Sequence, residues 1–325
     1  MILILSTDGD ISTNEVIESL IIQNTSFFRF NDNDIFNSDF NCFIENGEIK
    51  FTLTNHNKTI HSDEISIVWY RKFGFYNYRS EYISLKNSSY IELLKQFTNE
   101  YFTITQIIFA ALKSKKWLFN KHQAITSKYL VLAEAKKVGL KIPESLIINS
   151  KGELKKFIDI NKNVITKTIK EANFVRYEQN LLTMFTTEIN PNELDEALPR
   201  NFMPSLVQSK IEKEFELRIF FIDNQFYPMA IFSQADKQTE VDFRNYNRQV
   251  PNRNVPYILP KELKKLLKLL MKNLGLNTGS IDMIYTKEKE YIFLEVNPSG
   301  QFGMTSKPCN YNIEEKIADY LKTNA

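Results

Sequence analysis

The stretch FLEVNPSGQFG, Phe293 to Gly303, sets a carboxylate and a side-chain amide two residues apart in apolar sequence and follows them with Pro-Ser-Gly. Period-two alternation makes its first half a strand, with Glu295 and Asn297 on one face and Leu294 and Val296 on the other. A second strand, SIDMIYT from Ser280, precedes it across the polar turn around Lys287 to Glu290. A hairpin centred between Glu288 and Lys289 pairs Asp282 with Glu295 and Ile284 with Phe293, because paired positions in an antiparallel register have a constant sum. Asp282, Glu295 and Asn297 then share one patch, with Asn297 about 7 Å along the strand from Glu295. Carboxylates directly across a sheet repel, so the patch is unfavourable unless a cation covers it. Oxygen ligands of this kind suit Mg²⁺ or Mn²⁺; the alternative is the solvated face of an exposed hairpin. Pro298-Ser299-Gly300 ends the strand and frees backbone N–H groups that an anion could approach.

The rest of the composition narrows the chemistry. With 325 residues, 43% hydrophobic and 25% charged, the chain can bury a substantial core in two or three domains. No apolar run approaches the ~18 residues of a membrane span. The start MILILSTDGD reads as a first core strand rather than a signal peptide, which makes the expected location cytoplasmic. Forty-one basic residues against 39 acidic give a formal charge of +2, so no global field points to nucleic acid or an anionic membrane. Cys42 and Cys309 have no CxxC or nearby histidine and provide neither a disulfide framework nor a zinc site. His56, His61 and His122 are scattered, as surface histidines ordinarily are.

Along the chain, Ile2–Leu5 reads as a buried strand, Thr13 to about Gln23 as a helix and SIVWYRKFGF, Ser66 to Phe75, as a second strand. That order gives an open α/β first domain, although STDGDIS lacks the glycines of a dinucleotide fingerprint. From Ser89 to Lys113, Leu94, Phe97, Tyr101, Ile104 and Ile108 recur at helical spacing as a core-facing stripe. Thr126 or Ser127 can cap a helix to about Val138, Gly139 can supply its left-handed end, and Pro143 blocks continuation before the strand SLIIN. A helix from Lys151 to Ile160 and the strand NVITKTI follow. SLVQSKIEKEFELRIFFID alternates into a long strand with a break near Glu212 to Lys213. PKELKKLLKLLMKNLGL starts with Pro260, ends at Gly275 and buries Leu263, Leu266, Leu267, Leu270 and Leu274 on one face. Its lysine face is read as solvated rather than as a membrane surface.

From about Trp117 onward these motifs resemble, in order, those of the ATP-grasp ligases. SKYLVLAEAKKVGLKIPESLI is similar to their lysine-bearing helix, VITKTI to their next strand, LVQSKIEKEFELRIF to the linker and its acidic-x-Arg element, and GSIDMI with FLEVNPSG to their last two metal-ligand strands. The resemblance implies α/β and α+β architecture: an ATP-grasp fold with an N-terminal open α/β (pre-ATP-grasp) domain. It places that domain over 1–115, a central ATP-grasp subdomain over 116–205 and a C-terminal one with the metal site over 206–325. Lys128 and Lys167 would contact ATP phosphates, Gln208 and Ile211 would border adenine, and Glu214 would meet ribose, with Glu216 a competing choice. Arg218 would stabilise the transferred phosphate, while Asp282, Glu295 and Asn297 would hold Mg²⁺ or Mn²⁺. A departure is the segment after Lys167, which lacks the glycine-rich phosphate loop of many members.

Within that superfamily the chain resembles the graspetide synthetases, makers of microviridin-like peptides, and among them the maturases of grasp-with-spasm systems. MILILSTDGDISTNEVI, VWYRK, DFRNYN, VPYILP, LNTGSIDMI and EVNPSGQFG carry this likeness. It implies phosphorylation of an Asp or Glu side chain of a ribosomally made precursor peptide, leader plus core, followed by attack of a Thr or Ser hydroxyl or a Lys amine. An ATP-grasp ligase adding amino acids to a protein or peptide tail is the competing activity, and a homodimer is implied. Arg244, Arg248 and Arg253 in DFRNYNRQVPNRNVPY either grip acidic core side chains or line a solvated loop. Tyr70-Arg71-Lys72 carries the same two readings, a grip on acidic side chains or a solvated strand end, of which the strand end is the simpler.

Overall fold

The apolar run Ile2–Ser6 forms β1, buried along its whole length as an inner strand of a parallel sheet must be. The computed structural model describes residues 1–55, 58–74, 91–170, 175–177, 180–182, 185–234, 249 and 251–325. Met1–Gln123, Gln301–Ser306 and Asn312–Ala325 make one compact unit, and Ala124–Gly300 with Lys307–Tyr311 make a second.

In the first unit, β1 lies between β2 (Phe27–Asn31) and β6 (Ile67–Tyr70), and β7 (Lys116–Leu118) follows β6, all parallel. A meander of β3 (Asp39–Glu45), β4 (Glu48–Asn55) and β5 (Lys58–His61) forms a separate antiparallel sheet. The first helix runs Ile11–Ile22, two residues earlier than expected from Thr13, because Asp10 is the cap and its side chain accepts the Thr13 N–H. In the helix Ile91–Ala111, Leu94, Tyr101 and Ile108 are buried as the spacing predicts, whereas Phe97 is exposed. The C-terminal helix Ile313–Thr323 packs on Ile11–Ile22, and Gln23 Nε2 donates to Asp319 Oδ1 at 2.8 Å. The last residues of the chain thus close the first unit.

Tyr70-Arg71-Lys72 is not a solvated strand end. Arg71 is 3% exposed, its Nε is 3.2 Å from Asp10 Oδ2, and its guanidinium lies 5.2 Å from the centre of the buried Phe302 ring. Lys72 Nζ reaches the other Asp10 oxygen at 3.0 Å. A buried guanidinium without a counter-charge would be costly, and Asp10 supplies one.

The second unit opens with the helix Lys128–Lys137, preceded by Ser127, whose side chain makes no capping hydrogen bond, and ended by Val138 and a left-handed Gly139 at φ +95°. β9 (Val164–Lys167) pairs with β12 (Thr187–Glu188) and β13 (Asn201–Ser209), and β13 with β8 (Ser145–Ser150). Ile148, Leu154, Ile158, Val164, Leu194 and Val207 fill the space beneath, with Leu154 and Ile158 supplied by the helix Lys151–Asn161. β10 (Val175–Tyr177) and β11 (Asn180–Leu182) form a two-stranded ribbon. The long strand read from SLVQSKIEKEFELRIFFID is two, β13 and β14 (Phe215–Ile222), separated by Lys210–Glu214. β14 is central in an antiparallel sheet with β15 (Gln225–Phe232), β16 (Arg253–Pro256), β17 (Thr278–Tyr285) and β18 (Tyr291–Asn297). The helix Lys261–Asn273 buries Leu263, Leu267, Leu270 and Met271, so its apolar face is packed. Among the described residues no helix is long and apolar enough to cross a membrane.

The Asp10 cluster makes acid stability testable. Burial alone would raise the Asp10 carboxyl, but the Arg71 charge and the bonds from Thr13 and Lys72 outweigh it and lower the pKa from 3.8 to about 2. A carboxyl depressed in the folded state contributes stability that is fully present above about pH 4 and lost as pH falls toward 2, here about 2 kcal/mol. Asp10→Asn is expected to cost about 2 kcal/mol at neutral pH by removing the carboxylate charge beside Arg71 and Lys72. Urea midpoints measured from pH 6 to 2.5 should show the gap between wild type and variant narrowing with acid.

Candidate active site

Register across three strands builds the site. Arg218 on β14 is opposite Asp282 on β17, and Asp282 is opposite Glu295 on β18, so the three side chains form one row on one face of the sheet. The next row along the same face is Phe220, Ser280 and Asn297, and the preceding one contains Glu216 and Ile284. Asp282 and Glu295 pair as read from the sequence, but Ile284 pairs with Ile292 rather than with Phe293. The register shifts between Asp282 and Met283, so the hairpin is centred on Glu288, one half-step from the expected centre, and an extra residue on β18 restores the Asp282–Glu295 pair. The turn itself is closed by Thr286 and Glu290, with Lys289 at φ +65°.

The carboxylates are not left to repel each other. Arg218 Nη1 lies 3.0 Å from each Asp282 oxygen, and both side chains are nearly buried. Lys128 Nζ is 3.2 Å and Lys167 Nζ 3.9 Å from Glu295 Oε2. Lys128 opens its helix, where a cation opposes the helix dipole; Glu295 offsets that penalty. Lys167, the last residue of β9, reaches Glu295 from the other sheet of the unit. Five of the residues expected at the site therefore converge: Lys128, Lys167, Arg218, Asp282 and Glu295. The cation that the patch requires is provided by the chain itself.

Asn297 lies one row beyond, and its Oδ1 accepts the Ser299 N–H at 3.0 Å. Gly300 N–H returns to the Asn297 carbonyl at 3.1 Å, so Pro298–Gly300 is a tight turn. A Cβ on Gly300 would sit 2.7 Å from Ser280 Oγ and 2.8 Å from Ser280 Cβ, so close approach to β17 dictates glycine there.

The linker Lys210–Glu214 carries Ile211, which is half-buried, and Glu214, which is exposed. Glu216 is engaged: it accepts from Lys213 Nζ and from Ser233 Oγ, and all three are buried. Of the two acids weighed for one role, Glu214 is the accessible one. Gln208 is buried on β13 with Nε2 donating to Ser145 Oγ at 2.7 Å. Ser145 Oγ in turn donates to the Pro143 carbonyl at 2.8 Å, which fixes the amide orientation and leaves Gln208 Oε1 with no hydrogen-bond partner. Arg218 Nε is buried and has none either. Arg253, exposed at the start of β16, stacks over Phe232 at 5.2 Å; Arg244 and Arg248 lie outside the described residues. Among the described residues no group of three His, Cys, Asp or Glu side chains is placed to hold a metal, so an Asn must complete any such set here. Sequence reading missed Lys213 and Ser280, which touch the site's framework from positions with no motif of their own.

Residues 125–321 match the RimK-like ATP-grasp domain, and residues 1–125 match the MvdD pre-ATP grasp domain. The chain belongs to the RimK-like ATP-grasp family. Solved structures of similar fold include a Chryseobacterium gregarium RiPP-associated ATP-grasp ligase in complex with ADP and a leader and core peptide. It is 26% identical with a TM-score of 0.86, over 100% of this chain and 97% of that one. The macrocyclase MdnC from Microcystis aeruginosa MRC, bound with precursor peptide MdnA, is 27% identical with a TM-score of 0.84 over 100% of both chains. The ATP-grasp ligase PsnB, complexed with minimal precursor, Mg and ADP, shares the fold at 17% identity and a TM-score of 0.76, over 99% of this chain and 96% of that one. No curated protein matches the chain in sequence. This ATP-grasp chain thus carries the expected pre-ATP-grasp domain ahead of its ATP-grasp region.

Gly300→Ala should lower stability by about 1–3 kcal/mol, because the turn and β17 cannot both keep their places. Adding Ser280→Ala should not restore it, since the Cβ at 2.8 Å remains, whereas adding Ser280→Gly should. Thermal midpoints of the three variants decide this.

Proposed function

We propose that the chain is an ATP-dependent, ADP-forming ligase that makes macrocycles in a ribosomally made precursor peptide. It phosphorylates Asp or Glu side chains and joins them to Thr or Ser hydroxyls as esters, or to Lys amines as amides. The row Arg218–Asp282–Glu295 with Lys128 and Lys167 at its end carries the reading: fixed cations and carboxylates gathered on one sheet face of an ATP-grasp chain. Full-length likeness to two ligases solved with leader and core or precursor peptide supports a peptide substrate.

The residues fit the nucleotide. Gln208 Oε1 is a buried acceptor awaiting a donor, which the amino group of adenine supplies, and Ile211 offers an apolar edge beside it in the linker. Glu214, exposed in that linker, suits the ribose hydroxyls. Arg218 Nε is a buried donor awaiting an acceptor such as a transferred phosphoryl oxygen. Asp282, Glu295 and Asn297 are an all-oxygen set of the kind that holds Mg²⁺ or Mn²⁺. A divalent cation held by them would supply neutralisation of the negative charge that phosphoryl transfer develops.

The chemistry needs activation because a carboxylate would have to expel oxide. Transfer of the γ-phosphoryl to the side-chain carboxylate gives an acyl phosphate and ADP, and the hydroxyl or amine then attacks its carbonyl, loses its proton and expels phosphate. Lys128 and Lys167, resting on Glu295, would take up phosphate oxygens of the nucleotide. Ring closure depends on holding nucleophile and acyl phosphate together. Arg253 is the described member of the arginine set that would grip acidic core residues. A cytoplasmic homodimer goes with this reading, as does the division of the chain at 115/116 and 205/206.

With ATP, Mg²⁺ and a precursor rich in Thr, Ser, Lys, Asp and Glu, mass spectrometry should show loss of one water per ring and release of ADP. Addition of residue masses would instead identify a tail ligase, the alternative that a RimK-like match leaves in view. Glu295→Gln should abolish ADP formation. Gln208→Leu should raise the KM for ATP about tenfold, equal to about 1.4 kcal/mol, with kcat little changed.

A further inference from the structure

Gln208 and Lys167 stand on one face of one sheet. β13 runs between β8 and β9, and its registers place Gln208 opposite Ser145 on one side and Ile165 on the other. Leu206, two residues back, is opposite Ile147 and Lys167, so the rows of Gln208 and Lys167 lie about 7 Å apart along the strands. The other face, with Val164 and Val207, is the one packed on Leu154 and Ile158.

Ser145 decides which end of the Gln208 amide points away from it. An amide turned over keeps its shape and exchanges an acceptor oxygen for a donor nitrogen. The serine breaks that symmetry. A carbonyl only accepts, so the Ser145 hydroxyl places its proton on the Pro143 carbonyl, 2.8 Å from Oγ. The Oγ lone pairs are then open to Gln208 across the ladder, and Nε2 donates to them at 2.7 Å. Oε1 is left pointing away, buried and without a partner, on a side chain that is 1% exposed. Turning the amide over would set Oε1 against Ser145 and demand the proton that the Pro143 carbonyl, on a buried proline, accepts. The backbone around this relay is fixed twice. Ser209 N–H donates to the Glu144 carbonyl at 2.9 Å, and Glu144 N–H donates to Ser209 Oγ at 3.1 Å.

We propose that Ser145 sets the choice of nucleobase: by polarising Gln208 it selects adenine, with its exocyclic amino group, over hypoxanthine, which has a carbonyl in that place. Acting through Gln208, it is a positioning residue. The amino group donates to Oε1 and satisfies it, whereas the carbonyl would set two acceptors against each other in a buried site. That the ligand is a nucleotide whose base meets Gln208 rests on the function proposed above; the direction of the amide rests on the bonds among Pro143, Ser145 and Gln208.

The test measures dissociation constants of ADP and of inosine diphosphate with Mg²⁺, by calorimetry on the full chain. Wild type is expected to favour ADP about a hundredfold, the penalty of leaving buried acceptors unpaired. Ser145→Ala and Ser145→Val each remove the hydroxyl and free the amide to turn. Either should bring the two constants within about tenfold, with inosine diphosphate bound more tightly than by wild type. Ser145→Thr, which has the shape of the Val variant and keeps the hydroxyl, should retain the preference. A merely structural serine would weaken both nucleotides together and leave their ratio as in wild type. A preference unchanged in Ser145→Ala or Ser145→Val overturns the inference, as does no preference in wild type or its loss in Ser145→Thr. Wild type binding neither nucleotide removes the inference and the proposed function together. Should the expected pattern appear while a precursor peptide loses no water with ATP, the proposed function falls and the role of Ser145 stands.

Discussion

Arg218 stands in the middle of a five-stranded sheet with its guanidinium against both oxygens of Asp282, and neither side chain has water enough to exist without the other. Because the partners sit on adjacent strands, this pair is met only in one register of β14 against β17. Slipping by one residue would move Arg218 to the face that holds Leu217 and Ile219, both buried. The same register carries Glu295 into line beyond Asp282, and Glu295 in turn gathers Lys128 and Lys167 from a helix and from a strand of another sheet. Gly300 and Ser280 belong to the same constraint, since the turn after Asn297 can press on β17 only where one of them lacks a Cβ.

Much of this was legible in the residues. Gly139 and Gly275 end their helices in the left-handed region by a mechanism that acts locally, whereas Ser127 stands at its N-cap with no side-chain capping bond and Pro260 precedes its helix rather than opening it. The Asp282–Glu295 pair was legible for an incomplete reason: a turn centre displaced by half a step and an extra residue on β18 cancel from Asp282 back to Ser280, and they separate on the turn side, at Met283 and Ile284. Nothing in FLEVN marks a bulge, because its extra residue needs no glycine or proline. Lys128, Lys167 and Arg218 were named for the site through the resemblance alone; that they rest on Glu295 and Asp282 was out of reach, since they are far apart in sequence and only the fold brings them there. Sequence periodicity misplaced Phe97 because a helical stripe wider than the surface beneath it must leave an edge exposed. The first helix starts at Ile11 because Asp10 caps it, accepting two hydrogen bonds from Thr13, and the partner that also holds this carboxylate, Arg71, is distant in sequence.

The charge balance explains why the ligand-free site can fold at all. Among the described residues Lys128, Lys167 and Arg218 lie against Asp282 and Glu295, so each carboxylate is met by a cation. On the same sheet face Glu216 is met in the same way, by the buried Lys213, and it also accepts from Ser233.

The two clusters, in separate units, follow one electrostatic rule from opposite directions. In the second unit the carboxylates lie on adjacent strands of one sheet and the lysines are brought to them. In the first, Asp10 is fixed by the helix it caps and by Thr13, and Arg71 and Lys72 are brought to it. A buried arginine in each case is held by an aspartate. That choice follows from the side chain: a guanidinium, weakly hydrated and planar, tolerates burial against carboxylate or ring better than a strongly hydrated ammonium does.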